Sequence, residues 1–174
     1  MLPINHLPAL KDNIHIILDG SSTEKEKIKG RFFYVADTPE FMKELGLTGE
    51  YFNIRYGVIT RHKKKDENHS LSEQNWLDLC KRVADPFAII MCGKNRFRLF
   101  TDVLINNRNI VICVDVKNIS RNLDVNYIST VFGYRNRPIP GKILFKSKKL
   151  TPEQAALLDE PNALSLPPNQ GSGC

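Results

Sequence analysis

The stretch Phe87–Val116, FAIIMCGKNRFRLFTDVLINNRNIVICVDV, decides the fold. FAIIMC reads as a buried strand, and GKN supplies a turn. RFRLFTDV then alternates, with Arg96, Arg98 and Phe100 on one face and Phe97 and Leu99 on the other. INNRN is a second turn and IVICVDV a second buried strand. Downstream, NYISTVFGY and GKILFKSKK read as two further strands, and TPEQAALLDE as a short helix whose Thr151 and Gln154 suit a capping box.

Upstream of this stretch the signals are mainly helical. In SLSEQNWLDLCKRVADP, Trp76, Leu79, Cys80 and Val83 recur at helical spacing. Ser72 fits the N-cap, Leu71 and Trp76 the hydrophobic staple, and Pro86 the stop. RFFYVADTPEFMKELG reads as a strand passing into a helix, with Thr38 as N-cap and Gly46 closing it. TGEYFNIRYGVIT reads as an extended segment or loop, and TRHKKKDENH as a short helix with a solvated face. NIHIILDG alternates like a short strand, and SSTEKEKIKG is a polar loop or short helix.

The expected architecture is therefore α+β, with N-terminal helices packed on a roughly four-stranded antiparallel meander. Residues 1–30 are an N-terminal segment of strand or loop, 31–160 a single domain, and 161–174, rich in Pro, Asn and Gly, a disordered tail.

With 174 residues, 41% of them hydrophobic, the chain can bury one substantial core. Its formal net charge of +6 suits a polyanionic partner. No stretch approaches the ~20 apolar residues of a membrane span, so a soluble protein without a membrane partner is expected. Of the four cysteines, Cys80, Cys92 and Cys113 lie in apolar runs and read as reduced core thiols. Neither they nor Cys174 form a CxxC pair or sit at zinc-ligand spacing from a histidine.

Nucleotide-binding glycine loops, nucleophile elbows, HExxH helices and EF-hand loops are all missing, and the carboxylates are scattered. Histidine, arginine, lysine and hydroxyl chemistry remains. That set suits metal-independent RNA cleavage, in which a base takes the ribose 2′-OH proton, cations stabilise the phosphoryl oxygens and an acid protonates the leaving oxygen. His62 and His69, seven residues apart, can share a helix face as acid and base, or be two solvated histidines. Lys63, Lys64 and Lys65 can steer phosphate, or merely solvate a helix. Arg96 and Arg98 can face one substrate, or decorate an open strand. Ser129 and Thr130 supply hydroxyls of which one must point inward if the segment is a strand. Tyr127, Tyr134, Arg135 and Arg137 surround them. Such a site needs no cofactor and no metal.

The order VADTPEFMKELGL, ITRHKKKDENHSLS, VADPFAIIMC, NIVICVDV and VNYISTVFGYR resembles the C-terminal nuclease domains of phage MuF-type and related polymorphic toxins. These are the phage barnase–EndoU–colicin–RelE-like ribonucleases. The resemblance runs from about Phe33 to Lys148. It implies a barnase-like α+β RNase fold and a metal-independent endoribonuclease acting on RNA, with tRNA among the targets. It also implies a cognate immunity protein or antitoxin, and a cytoplasmic site of action reached by phage or secretory delivery. By position, His69 matches the histidine before the LS helix, His62 an earlier helical histidine, and Ser129 and Thr130 the hydroxyl pair of the late strand. The chain departs from the pattern at Phe132, where a tyrosine is common, and at Tyr127, where an acidic residue is frequent. That departure carries an alternative, a catalytically decayed module of the same fold that binds RNA or protein. ADP-ribosyl or nucleotidyl transfer ranks last, because Asp124 and Glu153 are poorly placed for the glutamate such chemistry wants.

Overall fold

Leu10, Ile14, Ile17 and Leu18 recur at helical spacing, and the first described element is accordingly a helix rather than the expected short strand. The computed structural model describes residues 6–63, 70–120, 123–135 and 140–158. Along them run α1 (His6–Asp19), α2 (Ser22–Ile28), β1 (Phe32–Asp37), α3 (Glu40–Glu44), β2 (Tyr51–Arg55), α4 (Tyr56–Lys63) and α5 (Glu73–Arg82). Then come β3 (Ala88–Gly93), β4 (Arg96–Ile105), β5 (Arg108–Ser120), β6 (Leu123–Gly133), β7 (Lys142–Lys146) and α6 (Pro152–Leu158). The 161–174 tail lies outside the described residues.

Local chemistry accounts for several boundaries. The Ser21 hydroxyl and the Glu24 carboxylate form a reciprocal capping box at α2. Ser72 Oγ accepts from Asn75 N at 3.1 Å at the start of α5, and Thr151 with Gln154 caps α6 in the same reciprocal way. Between β4 and β5 the two loop residues, Asn106 (φ 52°) and Asn107 (φ 58°), are both left-handed. That is the twist a two-residue hairpin demands, and asparagine tolerates it better than other side chains with a Cβ.

The expected four-stranded antiparallel meander preceded by helices is not what these elements build. The sheet has seven strands in the order β1-β2-β6-β5-β4-β3-β7, and it is mixed. Strands β3 to β6 are consecutive antiparallel neighbours, but β2 adds to β6 in parallel and β7 returns to the free side of β3. The helices are distributed through the chain, with α3 between β1 and β2, α4 and α5 between β2 and β3, and α6 last. Period-two patterning marks strands but carries no information on which strands pair, so it does not place the additional three.

One face of the sheet is buried under α1, α4 and α5. Leu10, Ile14 and Ile17 of α1, Val58 and Ile59 of α4, Trp76 and Leu79 of α5 and Val83 at its C-cap meet Phe33, Val35, Phe52, Ile54, Phe97, Leu99, Ile112 and Val114. A smaller cluster covers part of the other face, where Phe87, Ile90, Phe100, Val111 and Tyr134 pack with Leu158 of α6. Among the described residues, the rest of that face carries no helix.

Beside the parallel β2–β6 ladder, one buried side chain ties β6 to the segments flanking α3. Asn126 donates through Nδ2 to Thr38 Oγ1 at 2.8 Å, to Gly49 O at 3.1 Å and to Leu47 O at 3.3 Å. Its Oδ1 accepts from Gly49 N at 3.2 Å. Thr38 is therefore no helix cap: its hydroxyl serves Asn126, and α3 begins beyond Pro39 without a side-chain cap. Gly49 must be glycine here, because a Cβ would collide with the backbone nitrogen of Asn126 and the carbonyl carbon of Val125.

Replacing Asn126 by alanine strips partners from Gly49 N–H and from three buried or half-buried oxygens. The expected loss is about 2–3 kcal/mol, read as a lower urea midpoint at unchanged slope. Gly49→Ala should cost at least as much; a change no larger than an ordinary surface substitution in both variants would remove Asn126 from this role. A second expectation concerns Cys80, whose thiol burial pushes up to about 12 from an ordinary 9.0. The unfolded thiol ionises first, so stability from this group is complete below pH 9 and is lost from there to about 12. Cys80→Ala should flatten that alkaline limb in pH-dependent unfolding.

Candidate nucleic-acid interface

On the part of the sheet that carries no helix among the described residues, the alternation of β1 and β2 sends Phe32, Tyr34, Tyr51, Asn53 and Arg55 outward while Phe33, Val35, Phe52 and Ile54 enter the core. Strand register continues that outward row. Tyr34 is opposite Asn53, Asn53 opposite Tyr127, Tyr127 opposite Asp115 and Asp115 opposite Arg96. Five strands thus present one surface.

Rings and cations interleave on it. Phe32 is 48% exposed, and its ring meets Tyr127 edge-on with centroids 5.1 Å apart. The Arg55 guanidinium stands 5.6 Å from the Phe32 centroid, and Lys117 Nζ 5.5 Å from that of Tyr127. Tyr34 and Tyr51 form a second ring pair at 5.8 Å. Burial, followed by a hydrogen bond with Asp37, pushes the Tyr34 phenol up to about 12, so it stays a neutral donor throughout the physiological range. Arg55 and Lys117 are both exposed. Arg96 is less independent, because its Nε donates to Asp115 Oδ1 at 3.2 Å.

The residues expected from sequence to carry catalysis do not converge here. His62 is 6% exposed and lies on the helix side of the sheet, its ring edge-on to Trp76 at 5.5 Å. It follows Val58 by four residues and Ile59 by three, so once α4 begins at Tyr56 the helical repeat carries it into the core. His69, Lys64 and Lys65 lie outside the described residues, as does the side chain of Lys63. Ser129 sits where β6 slips register against β5; its hydroxyl donates to Cys113 O at 3.3 Å and its carbonyl accepts from Arg61 Nη2 at 3.0 Å. Thr130, opposite Cys113, is half-buried on the open face.

Arg98 shares that face but is 7% exposed, with its guanidinium 5.7 Å from the Phe132 ring centroid, at the margin of the smaller core. Arg135 is exposed just beyond the end of β6. Of the expected set, Tyr127, Thr130, Arg96 and Arg98 therefore share the open face, and His62 is on the far side of the sheet. Phe32, Arg55 and Lys117 are absent from the set expected from sequence, although the alternation of RFFYVAD and YFNIR already separates an outward row from an inward one.

No family model matches the chain, and neither a curated protein nor a solved structure matches it. The arrangement itself defines an α+β domain with one covered and one partly open sheet face.

A buried ring packed on tryptophan is a structural group. His62→Ala should lower stability by about 2 kcal/mol and change the emission of the chain's single tryptophan, without any direct effect at the open face. A His62→Ala chain with unaltered unfolding and unaltered fluorescence would contradict this placement.

Proposed function

We propose that the chain is an RNA-binding module that receives single-stranded RNA on the open face of its sheet. The observation that carries this reading is the Phe32–Tyr127 ring pair with Arg55 and Lys117 standing over its two rings. Unpaired bases stack on aromatic side chains, and flanking cations meet the phosphates. Such a surface suits splayed single strands better than a duplex, whose bases are already stacked. The net charge of +6 adds long-range attraction to a polyanion.

The endoribonuclease reading is the lesser one. It needs an acid–base pair beside Thr130 and the arginines, and His62 is on the other side of the sheet. His69, outside the described residues, is left as the histidine that would have to serve. A nuclease of this kind would degrade total RNA or tRNA in the presence of EDTA, and His69→Ala would abolish it.

Binding is tested by fluorescence anisotropy with a labelled single-stranded RNA, and with the same sequence annealed as a duplex. Phe32→Ala and Tyr127→Ala should each weaken single-strand binding by about 1–3 kcal/mol. Arg55→Ala and Lys117→Ala should each reduce the slope of log K against log salt by about 0.7 for every phosphate the side chain neutralises. Leu104→Ala, an exposed apolar control near the β4–β5 turn, should change neither. Affinity indifferent to Phe32, Tyr127 and salt would overturn the proposal.

A further inference from the structure

Helix α1 ends with the wrong charge. Its last turn holds Asp19 and no basic residue, although the partial negative charge at a helix C-terminus favours cations. His15 precedes Asp19 by four residues, so the two side chains lie along the same side of the helix. A third group reaches this spot from another helix. Glu73 opens α5, and its Oε2 lies 3.0 Å from His15 Nδ1. Ligand atoms of His15, Asp19 and Glu73 all lie within 4.8 Å of one another.

Apart from the His15 ring itself, no basic side chain among the described residues answers that negative charge. Among the described residues, the ion pair Glu73 makes is with His15, and no lysine or arginine pairs with Asp19 or Glu73. Glu24 is near enough to interact with His15, but its carboxylate is committed to the Ser21 backbone and hydroxyl at 2.8 and 2.7 Å. His15 and Asp19 are exposed and Glu73 is half-buried, so an ion has access from solvent.

We propose that His15, Asp19 and Glu73 form a site for a divalent first-row transition ion, zinc above all, that clips the end of α1 to the start of α5. The donor chemistry selects the class. One imidazole and two carboxylates suit zinc and its neighbours, whereas calcium and magnesium want oxygen donors throughout. Zinc-to-ligand bonds of about 2.0–2.2 Å place tetrahedral donors roughly 3.5 Å apart, which rotamer adjustment of exposed side chains can reach. Two carboxylates balance the dication, and the ion in turn supplies the positive charge that the end of α1 lacks. Three protein ligands leave a coordination position for water. Because α1 and α5 both pack on the same core, the ion would bind the folded chain and not the unfolded one.

The test uses the full chain after chelator treatment. Calorimetric titration with zinc should show one tight site, thermal unfolding should move up by several degrees with saturating zinc, and magnesium or calcium at equal ionic strength should do neither. Cobalt in place of zinc should give a visible absorption band. His15→Gln and Asp19→Asn, both at exposed positions, should keep the far-ultraviolet dichroism of the parent and weaken zinc binding by on the order of tenfold or more. Cys92→Ser should leave binding intact. The proposal is overturned if zinc fails to raise the unfolding temperature of the parent chain, or if His15→Gln retains its full affinity.

Discussion

Asn126 is the constraint on which the rest of the sheet depends. A parallel joint between β2 and β6 cannot be closed by a tight turn, so something else must fix where the two strands meet. Asn126 does this with one carboxamide, which bonds the segment entering α3 through Thr38 and the segment leaving it through Leu47 and Gly49. Its position in β6 sets the pairing of Phe52 with Asn126 and of Ile54 with Ile128, and hence which residues of β2 enter the core. A slip of one residue would turn Phe52 and Ile54 outward and bring Asn53 and Arg55 in. The amide's polarity is tolerable in the interior because both its donor and acceptor ends are engaged.

That register also creates the two unlike faces. Inward residues of β1 and β2 join a core under α1, α4 and α5, and outward residues are available for recognition. Phe32 and Tyr127 meet across the parallel joint although ninety-five positions separate them in the chain, since β1 and β6 flank β2. Arg98 marks where the open surface gives way to the second core, its guanidinium over Phe132. Phe132 itself has a packing role: its ring borders the apolar cluster to which Leu158 of α6 belongs.

Much of the local structure is legible in the sequence. The α5 stripe, its Ser72 cap, the Thr151–Gln154 box and the asparagine turn between β4 and β5 all follow from chemistry within a few residues. Whatever distant pairing decides is not legible. The strand reading of NIHIILDG fails because a window of eight residues hides the longer repeat of Leu10, Ile14, Ile17 and Leu18. Thr38 resembles an N-cap among its neighbours, yet its hydroxyl is taken by a residue eighty-eight positions on. His62 reads as solvated only when its helix is started at Thr60; starting at Tyr56 puts it in line with Val58 and Ile59. The open face is half legible, in that alternation names its residues but not the strands that bring them together.

The parallel joint has a consequence for how the chain is made. β2 ends at Arg55, while β6, the partner that completes it, begins only at Leu123 and leaves the ribosome after the helices and strands between them. Until it emerges, Phe33, Val35, Phe52 and Ile54 belong to a pair of strands with both edges unpaired, of which β6 later covers that of β2. Such a nascent chain is an inviting target for chaperones and for pairing with its own copies. Assembly is also delayed by topology, since the joint closes a long loop before its pairing can offset the lost entropy. The helices α1, α4 and α5, all upstream of β3, are the elements available to shelter those side chains while synthesis continues.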